Sequence, residues 1–447
     1  MQNLPSDLLN SLSKYGHIDL DAFVESHGEE HKITSVRINP FKPTQLDLEM
    51  GQSIPWATDA FYLKNRPSFT LDPLFHAGCY YVQEAGSMFL ELALKQCLDL
   101  SKPLAVLDLC AAPGGKSTLI NSLVNEESLL VANEVVRNRA AVLAYNLGKW
   151  GTDNTIVTNS DPQKFSALSG YFDAVVIDAP CSGSGLFRKQ PEAVNEWSLD
   201  HVAQCSVRQK RILTDVLPCL KEDGILFYST CSYSVEENED IVNWLKETAE
   251  MEYVPLALDK SWGIVETEHG YRFYPHLTKS EGFFCAVLRK KSTQSRSHSK
   301  RRRETEVTKA ERALLSRFLK LRDNQHLFKK NNQFHLLNSK TLDFLMNYEK
   351  QLYFKKAGAL VGELKGKDLV PDHELALSLN ISEQINRLEL DKENALNYLR
   401  KENFQINSGS GGLSLISYGG FGIGWAKILP TRINNYLPNE LRILNRI

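Results

Sequence analysis

Ala105-Val-Leu-Asp-Leu-Cys-Ala-Ala-Pro-Gly-Gly-Lys-Ser-Thr118 sets an apolar run directly against a glycine turn and the start of a helix. Such a run, carrying an acid and followed by small residues, reads as a buried parallel strand that hands its carboxyl end to a helix amino terminus. Two segments further along repeat the arrangement. Asp178-Ala-Pro-Cys-Ser-Gly-Ser-Gly185 follows the apolar run Ala174 to Asp178, and Tyr228-Ser-Thr-Cys-Ser-Tyr233 continues the run that begins at Gly224. An open α/β sheet places its ligands and catalytic groups at the carboxyl ends of its strands. Cys181 and Cys231 are therefore expected to face a bound, nucleotide-like cofactor.

Working outward, strands are expected at Ala105 to Leu109, Leu129 to Asn133, Asn154 to Asn159, Ala174 to Asp178, Gly224 to Ser229 and Phe283 to Arg289, with amphipathic helices between most of them. That alternation is the pattern of a doubly wound α/β sheet. Residues 1–101 begin with a short helical pattern and turn Pro- and aromatic-rich, which suggests a smaller domain packed on the sheet. The catalytic domain would span 102–290, and a Ser- and Arg-rich linker, 291–306, should be solvated. Residues 307–447 mix helical beginnings with glycine-rich β-like pieces and suggest one compact, appended β-rich domain.

Composition narrows the function classes. A net charge of -2 over 447 residues makes no global case for nucleic acid, so any basic surface must be local. No stretch reaches the roughly 18 to 20 apolar residues of a membrane span, and the amino terminus lacks the apolar core of a signal peptide. Eight scattered cysteines without CxxC or CxxH spacing fit a reducing cytoplasm and propose neither a disulfide framework nor a metal site.

The turn is not a phosphate loop. Counting back from Gly115 puts Cys110 where the first glycine of Gly-x4-Gly-Lys-Ser should stand. A nucleoside lying across the sheet edge fits better, because Pro113, Gly114 and Gly115 allow close backbone approach before a helix begins near Lys116. Glu134 ends the second strand about 20 to 25 residues beyond the turn, where a ribose-binding acid is expected. Asp161 follows the third strand as an acceptor for an exocyclic amine. Asp108, Glu134, Asp161 and Asp178 then stand at successive strand ends.

A thiolate is suited to reversible attack on an electrophilic carbon. Carbon 5 of a pyrimidine is too weak a nucleophile to accept a methyl group unaided, but thiolate addition at carbon 6 makes it enamine-like. An acid must then share the charge on ring nitrogen 3, and Asp178 lies three residues before Cys181. Methyl transfer from a sulfonium donor, proton removal from carbon 5 and departure of the thiolate complete the cycle. The remaining cysteines, Cys79, Cys97, Cys205, Cys219 and Cys285, read as small core hydrophobes.

The segments Asp108-Leu-Cys-Ala-Ala-Pro-Gly-Gly-Lys-Ser, Asp178-Ala-Pro-Cys-Ser-Gly-Ser-Gly-Leu-Phe-Arg-Lys and Ser229-Thr-Cys-Ser with Glu236-Glu-Asn-Glu resemble the signatures of the Nop/Sun RNA cytosine-5 methyltransferases. The likeness extends to Ser35-Val-Arg-Ile-Asn, Tyr81-Val-Gln-Glu-Ala and Arg272-Phe-Tyr-Pro-His with Glu281-Gly-Phe-Phe. It implies a Rossmann-like class I methyltransferase sheet and S-adenosylmethionine held by Cys110, Ala111, Ala112, Pro113, Gly114, Gly115, Lys116, Glu134, Arg139, Asp161 and Asp178. It also implies that Cys231 is the nucleophile and that Cys181 assists product release. DNA cytosine-5 methyltransferases attack with the cysteine of the Pro-Cys motif, so the Thr-Cys-Ser cysteine favours RNA. The Asn/Asp-Pro-Pro-aromatic motif of amino-group methyltransferases is not matched by Asp178-Ala-Pro-Cys.

The tail, including Gly358-Ala-Leu-Val-Gly-Glu-Leu-Lys-Gly and Pro371-Asp-His-Glu-Leu-Ala-Leu-Ser-Leu, is similar to the carboxyl-terminal region of bacterial small-subunit ribosomal RNA methyltransferases of the F type, where it is a PUA-like RNA-binding domain. The resemblance implies structured RNA as partner, 16S ribosomal RNA or the small subunit, with no membrane and no metal. Transfer RNA as substrate and a non-catalytic ribosome-assembly factor are the alternatives. Phosphate contacts are expected from Arg188, Lys189, Arg208, Lys210, Arg211 and the linker arginines 301–303, and base stacking from Trp425 and Tyr436.

Overall fold

A computed structural model of the chain describes residues 4–15, 18–28, 32–291, 307–403 and 411–445. The linker arginines 301–303 lie outside the described residues. The chain opens with helices α1 (Ser6–Leu12) and α2 (Leu20–Glu25). Strands β1 (Ser35–Ile38), β2 (Met50–Ser53) and β3 (Ala60–Leu63), helix α3 (Pro73–Ala77) and strand β4 (Tyr80–Val82) follow. These four strands form an antiparallel sheet in the order β2-β3-β1-β4. Helix α4 (Leu90–Cys97) leads out of it.

The central unit then alternates β5 (Ala105–Asp108), α5 (Gly115–Leu123), β6 (Leu129–Asn133), α6 (Arg137–Trp150), β7 (Thr155–Thr158) and β8 (Phe172–Asp178). It continues through α7 (Leu199–Val216), β9 (Leu220–Thr230), α8 (Glu239–Thr248), β10 (Met251–Tyr253), β11 (Val265–Thr267), β12 (Gly270–Phe273) and β13 (Phe283–Lys290). Helix α7 shows how such elements are specified: Ser198 caps its first turn, and Val202, Cys205, Gln209, Ile212, Leu213 and Val216 turn one stripe into the core.

Strands β9, β8, β5, β6 and β7 run parallel in that order, so the chain steps outward from β5 through β6 and β7 and then returns to the other side of β5. The crevice between β5 and β8 is the switch point at which such sheets bind ligands. Alternate strand residues face opposite layers. Leu107, Val131, Ile156, Val175 and Tyr228 enter one core with α7 and α8, whereas Val106, Leu130, Val157, Val176 and Phe227 enter the other with α4, α5 and α6. This is the doubly wound α/β class expected from the sequence.

The remaining elements are α9 (Lys309–Leu315), β14 (Gln325–Lys330), β15 (Gln333–Asn338), α10 (Ser339–Tyr348), β16 (Phe354–Ala357), β17 (Ala359–Lys365), β18 (Asp368–Pro371) and α11 (His373–Leu377). After them come β19 (Arg387–Glu389), α12 (Lys392–Leu399), β20 (Gly412–Tyr418), β21 (Phe421–Leu429) and β22 (Arg432–Asn435). Rather than a single sheet, they make two four-stranded ones, β14-β15-β17-β18 and β19-β20-β21-β22. Strand β16 pairs antiparallel with β7, so the central sheet gains a tenth strand from beyond residue 306, and α10 packs into the same core as α7 and α8.

Buried polar side chains join these units. Arg37 donates to Gln83 Oε1 at 3.0 Å and to Thr118 Oγ1 at 2.6 Å, and its guanidinium lies 4.7 Å from the Trp150 ring. Asn39 Nδ2 donates to the carbonyls of Gly78 and Trp150. The Ser35-Val-Arg-Ile-Asn segment thus docks the amino-terminal sheet onto α5 and α6. Among the described residues no helix is long and apolar enough to cross a membrane, and no group of three or more His, Cys, Asp or Glu could hold a metal ion.

Candidate active site

Strands β5, β8 and β9 end at one edge, and their following loops enclose a cavity of about 260 Å³. Asp108, Cys110, Ala111, Ala112, Pro113, Gly115, Lys116, Asp178 and Cys231 line it. Gly114 sits at φ +116, a conformation only glycine adopts freely, and a Cβ there would lie 3.3 Å from Leu143. The turn is held from outside by Asn146 Nδ2, which donates to Pro113 O at 2.9 Å, and by Arg139 Nη2, which donates to Ala112 O at 2.8 Å.

Two carboxylates stand inside. Lys116 Nζ lies 2.8 Å from Asp178 Oδ2, and Ser229 Oγ donates to Asp178 Oδ1 at 2.8 Å, so the acid is oriented from both sides. Burial alone would lower the Lys116 ammonium, yet the Asp178 and Asp108 carboxylates hold it above its ordinary range. Asp108 Oδ2 accepts from Ser117 Oγ at 2.6 Å, whereas its Oδ1 is buried with no hydrogen-bond partner. Burial pushes its carboxyl up to about 7.

All eight cysteines are free thiols, and Cys181 Sγ lies 3.0 Å from Cys231 Sγ. The contact with Cys231 and burial push the Cys181 thiol well above the ordinary cysteine range. One buried acid ties the two cysteine loops together. Glu237 accepts from Ser182 N at 2.8 Å and Ser182 Oγ at 2.6 Å, and from Ser232 Oγ at 2.5 Å, the residues that directly follow the two cysteines. Behind them Gly185 N donates to Cys231 O at 2.8 Å, and a Cβ on Gly185 would meet Gly282 O at 2.5 Å. The close approach of these loops requires glycine there.

Other expected site residues lie apart from this cavity. Glu134 is buried, accepts from Val136 N at 2.9 Å and sits 3.5 Å from Arg139 Nη1; Asp161 is exposed and caps a short 3-10 helix through Gln163 N. Glu134 reaches the glycine turn through Arg139, and both acids lie beyond the lining of the cavity. Sequence reading named Arg188 as a phosphate contact, but its guanidinium is 2 % exposed and bound to Glu281 at 3.1 Å and to Ser280 O at 2.8 Å. Lys189 does line the cavity. Trp425, expected to stack on a base, is buried and donates to Asp372 O at 2.8 Å, so it is a core residue; Tyr436 remains exposed.

Sequence reading assigned no role to Glu237, Glu84 or Glu281. Glu84 accepts from the backbone N–H groups of Gly86, Ser87 and Glu281 and lines the cavity with the last of these. Arg272, from the Arg272-Phe-Tyr-Pro-His segment, grips Glu239 through both carboxylate oxygens and donates to Tyr233 O at 2.8 Å, bracing the loop that carries Glu237. Each of the three belongs to a segment that carries the family resemblance, Glu84 in Tyr81-Val-Gln-Glu-Ala, Glu237 in Glu236-Glu-Asn-Glu and Glu281 in Glu281-Gly-Phe-Phe, and that membership is the signal the sequence offers.

Three family descriptions match the chain: 16S rRNA methyltransferase RsmB/F over residues 95–289, the N-terminal domain of 16S rRNA methyltransferase RsmF over 4–85, and the methyltransferase RsmF PUA domain over 385–443. A ribosomal RNA small subunit methyltransferase F from Shewanella woodyi is 31% identical, with 99% of this chain and 97% of the relative covered. One from Vibrio atlanticus is 29% identical, with 98% and 97% covered. Among solved structures, a methyltransferase homolog protein from Pyrococcus horikoshii superposes with a TM-score of 0.52 at 29% identity, over 64% of this chain and 100% of that one. NSun6 from Pyrococcus horikoshii, 19% identical with a TM-score of 0.54 over 65% and 99% of the two chains, shares the fold.

Proposed function

The chain belongs to the ribosomal RNA small subunit methyltransferase F family, and from that premise we propose that it methylates carbon 5 of a cytidine in 16S ribosomal RNA through a covalent adduct on Cys231. The observation that carries this reading is Cys231 beside Asp178 on the wall of a cavity that the glycine turn also lines, with the Cys181 thiol 3.0 Å from it.

S-adenosylmethionine fits this site: the unpartnered, buried Asp108 Oδ1 suits its amino group, and the left-handed Gly114 opens the turn to its close approach. Residues Cys110 to Lys116 and Asp178 would hold it, with Glu134 for the ribose, Asp161 toward the adenine amine, and Arg139 bracing the turn. When bound it supplies a sulfonium-activated methyl group.

The geometry supports the following steps for the protein's own residues. The Cys231 thiolate adds to carbon 6 and carries an electron pair into the ring. Asp178, oriented by Lys116 and Ser229, receives the Cys231 thiol proton, passes it to nitrogen 3 as negative charge develops there and takes it back when the thiolate leaves. Carbon 5 takes the methyl group, loses its proton to a base, and the bond to Cys231 breaks to return the thiolate. Cys181, 3.0 Å from Cys231, assists release of the product. Among the units, the catalytic stretch would be 102–290, with 1–101 and the region after 307 gripping RNA, in the cytoplasm.

The test is transfer of labelled methyl from S-adenosylmethionine to separate pools of small-subunit, large-subunit and transfer RNA, followed by digestion to nucleosides. Label is expected as 5-methylcytidine from the small-subunit pool and to vanish in Cys231→Ala. Cys181→Ala should accumulate a denaturation-resistant protein–RNA adduct. An adduct that persists without Cys231 reverses the roles of the thiols, and label in transfer RNA alone overturns the substrate.

A further inference from the structure

Beside the catalytic cavity lies a groove of about 570 Å³, between the end of β3, the segment leading into β1, and the loop Pro275 to Lys279 that joins β12 to β13. Lys32, Lys64, Lys279, His276 and Arg188 contribute to its lining, and among the described residues no carboxylate does. Three lysines line the groove although the chain as a whole carries a charge of -2.

Its basic groups differ in their roles. The buried Arg188 is already neutralised by Glu281 and forms the floor. Lys64 and Lys279 are exposed and have no carboxylate partner among the described residues; Lys279 Nζ rests 4.6 Å above the ring of Tyr62. Both ring nitrogens of His276 are buried without a hydrogen-bond partner among the described residues, and burial lowers its affinity for a proton. Asp19, the acid whose charge reaches His276, caps α2 through Ala22 N.

Groove and cavity share one wall. Glu281, the partner of Arg188, and Lys189, its neighbour, both line the cavity that holds Cys231. A strand that delivers a base into that cavity must continue its backbone out of it, and every nucleotide on that path brings one negative charge. We propose that this groove holds the phosphodiester backbone of the substrate RNA next to the target base, with Lys64 and Lys279 as the phosphate contacts. The inference rests on the RNA-methyltransferase reading above, and it adds where the strand leaves the site.

The experiment uses the full chain bearing Lys64→Glu and Lys279→Glu, alongside Lys64→Gln with Lys279→Gln. A control, Lys246→Glu with Lys260→Glu, removes the same charge outside the groove. Small-subunit RNA is titrated over a range of salt, and methyl transfer is followed in parallel. The groove variants should raise KM for RNA at least 10-fold with cofactor affinity and kcat unchanged, and the control should not. In the Gln variant the negative slope of log K against log salt should become shallower by about 1.4, from about 0.7 per lost phosphate contact on a single strand. RNA affinity and salt slope equal to wild type overturn the proposal, as does an equal loss in the control. Unchanged cofactor affinity certifies folding of each variant. The binding arm stands apart from turnover: RNA affinity lost in the variants while wild type makes no methylated nucleoside upholds the groove and overturns the chemistry instead.

Discussion

Glu237 is the residue on which the two thiols depend without its touching either. It accepts three hydrogen bonds from the residues that follow Cys181 and Cys231, in surroundings that burial makes costly for a carboxylate. Glu237→Leu would leave the Ser182 N–H without its acceptor and the Ser182 and Ser232 hydroxyls with only each other, and the orphaned N–H alone costs about 1 to 3 kcal/mol. We expect a lower urea midpoint, kcat reduced at least 10-fold and little change in cofactor affinity; Glu237→Gln, which keeps the shape and an acceptor, should recover much of both. Asp108 makes a second prediction at this scale. Its carboxyl is raised to about 7, and only the ionised form attracts an ammonium group. Affinity for S-adenosylmethionine should therefore rise as pH increases from 6 to 8, and calorimetric titration of Asp108→Asn should show that rise removed.

At the scale of elements, the sequence was clearest where burial is complete. Strands β5, β6, β8 and β9 read as apolar runs because both their faces are covered, and the loops that follow them carry the unusual Pro, Gly and Cys residues. The amino-terminal strands have three or four residues each, too few to establish a period, and emerged only in the structure. Strand β16, Phe354-Lys-Lys-Ala, shows two lysines in a row, and only tertiary pairing makes it a strand: Asn159 N donates to Tyr353 O at 2.9 Å and Gly358 N to Thr155 O at 2.8 Å. Glu237 was illegible for the same reason, since its burial exists only once two loops 50 residues apart have met. The pairing of β16 has a consequence. A chain ending at residue 306 would expose the edge of β7 and the core face that Phe344 and Leu345 of α10 cover. Such a truncation should be recovered mainly as aggregate, or bind a hydrophobic dye strongly, whereas a soluble catalytic unit with native cofactor affinity would show that the tail is dispensable to the sheet.

In the whole molecule, the units meet at two buried lysines with opposite surroundings. Lys42 Nζ donates to Ala77 O at 2.7 Å, Lys149 O at 2.9 Å and Leu377 O at 2.7 Å, joining the amino-terminal sheet, the central unit and the region after 307 through one ammonium group. Lys149 is also buried, yet its ammonium has no hydrogen bond or ion pair among the described residues; it lies 4.0 Å above the Phe75 ring and beside a cavity of about 820 Å³. Lys42→Met should therefore destabilise, because three carbonyls lose their donor. Lys149→Met should behave differently. Burial lowers this amine from its ordinary 10.5 to about 7, with the nearby Lys42 charge adding to the effect. Between those values the unfolded chain binds the proton more readily than the folded one, so this group's contribution to stability rises with pH and is lost as pH falls toward 7. Methionine keeps the aromatic contacts and removes the titration. The urea midpoint of Lys149→Met relative to wild type should be highest near pH 7 and decline steadily toward pH 10. A difference that stays constant with pH would mean that the amine remains fully charged in the folded protein.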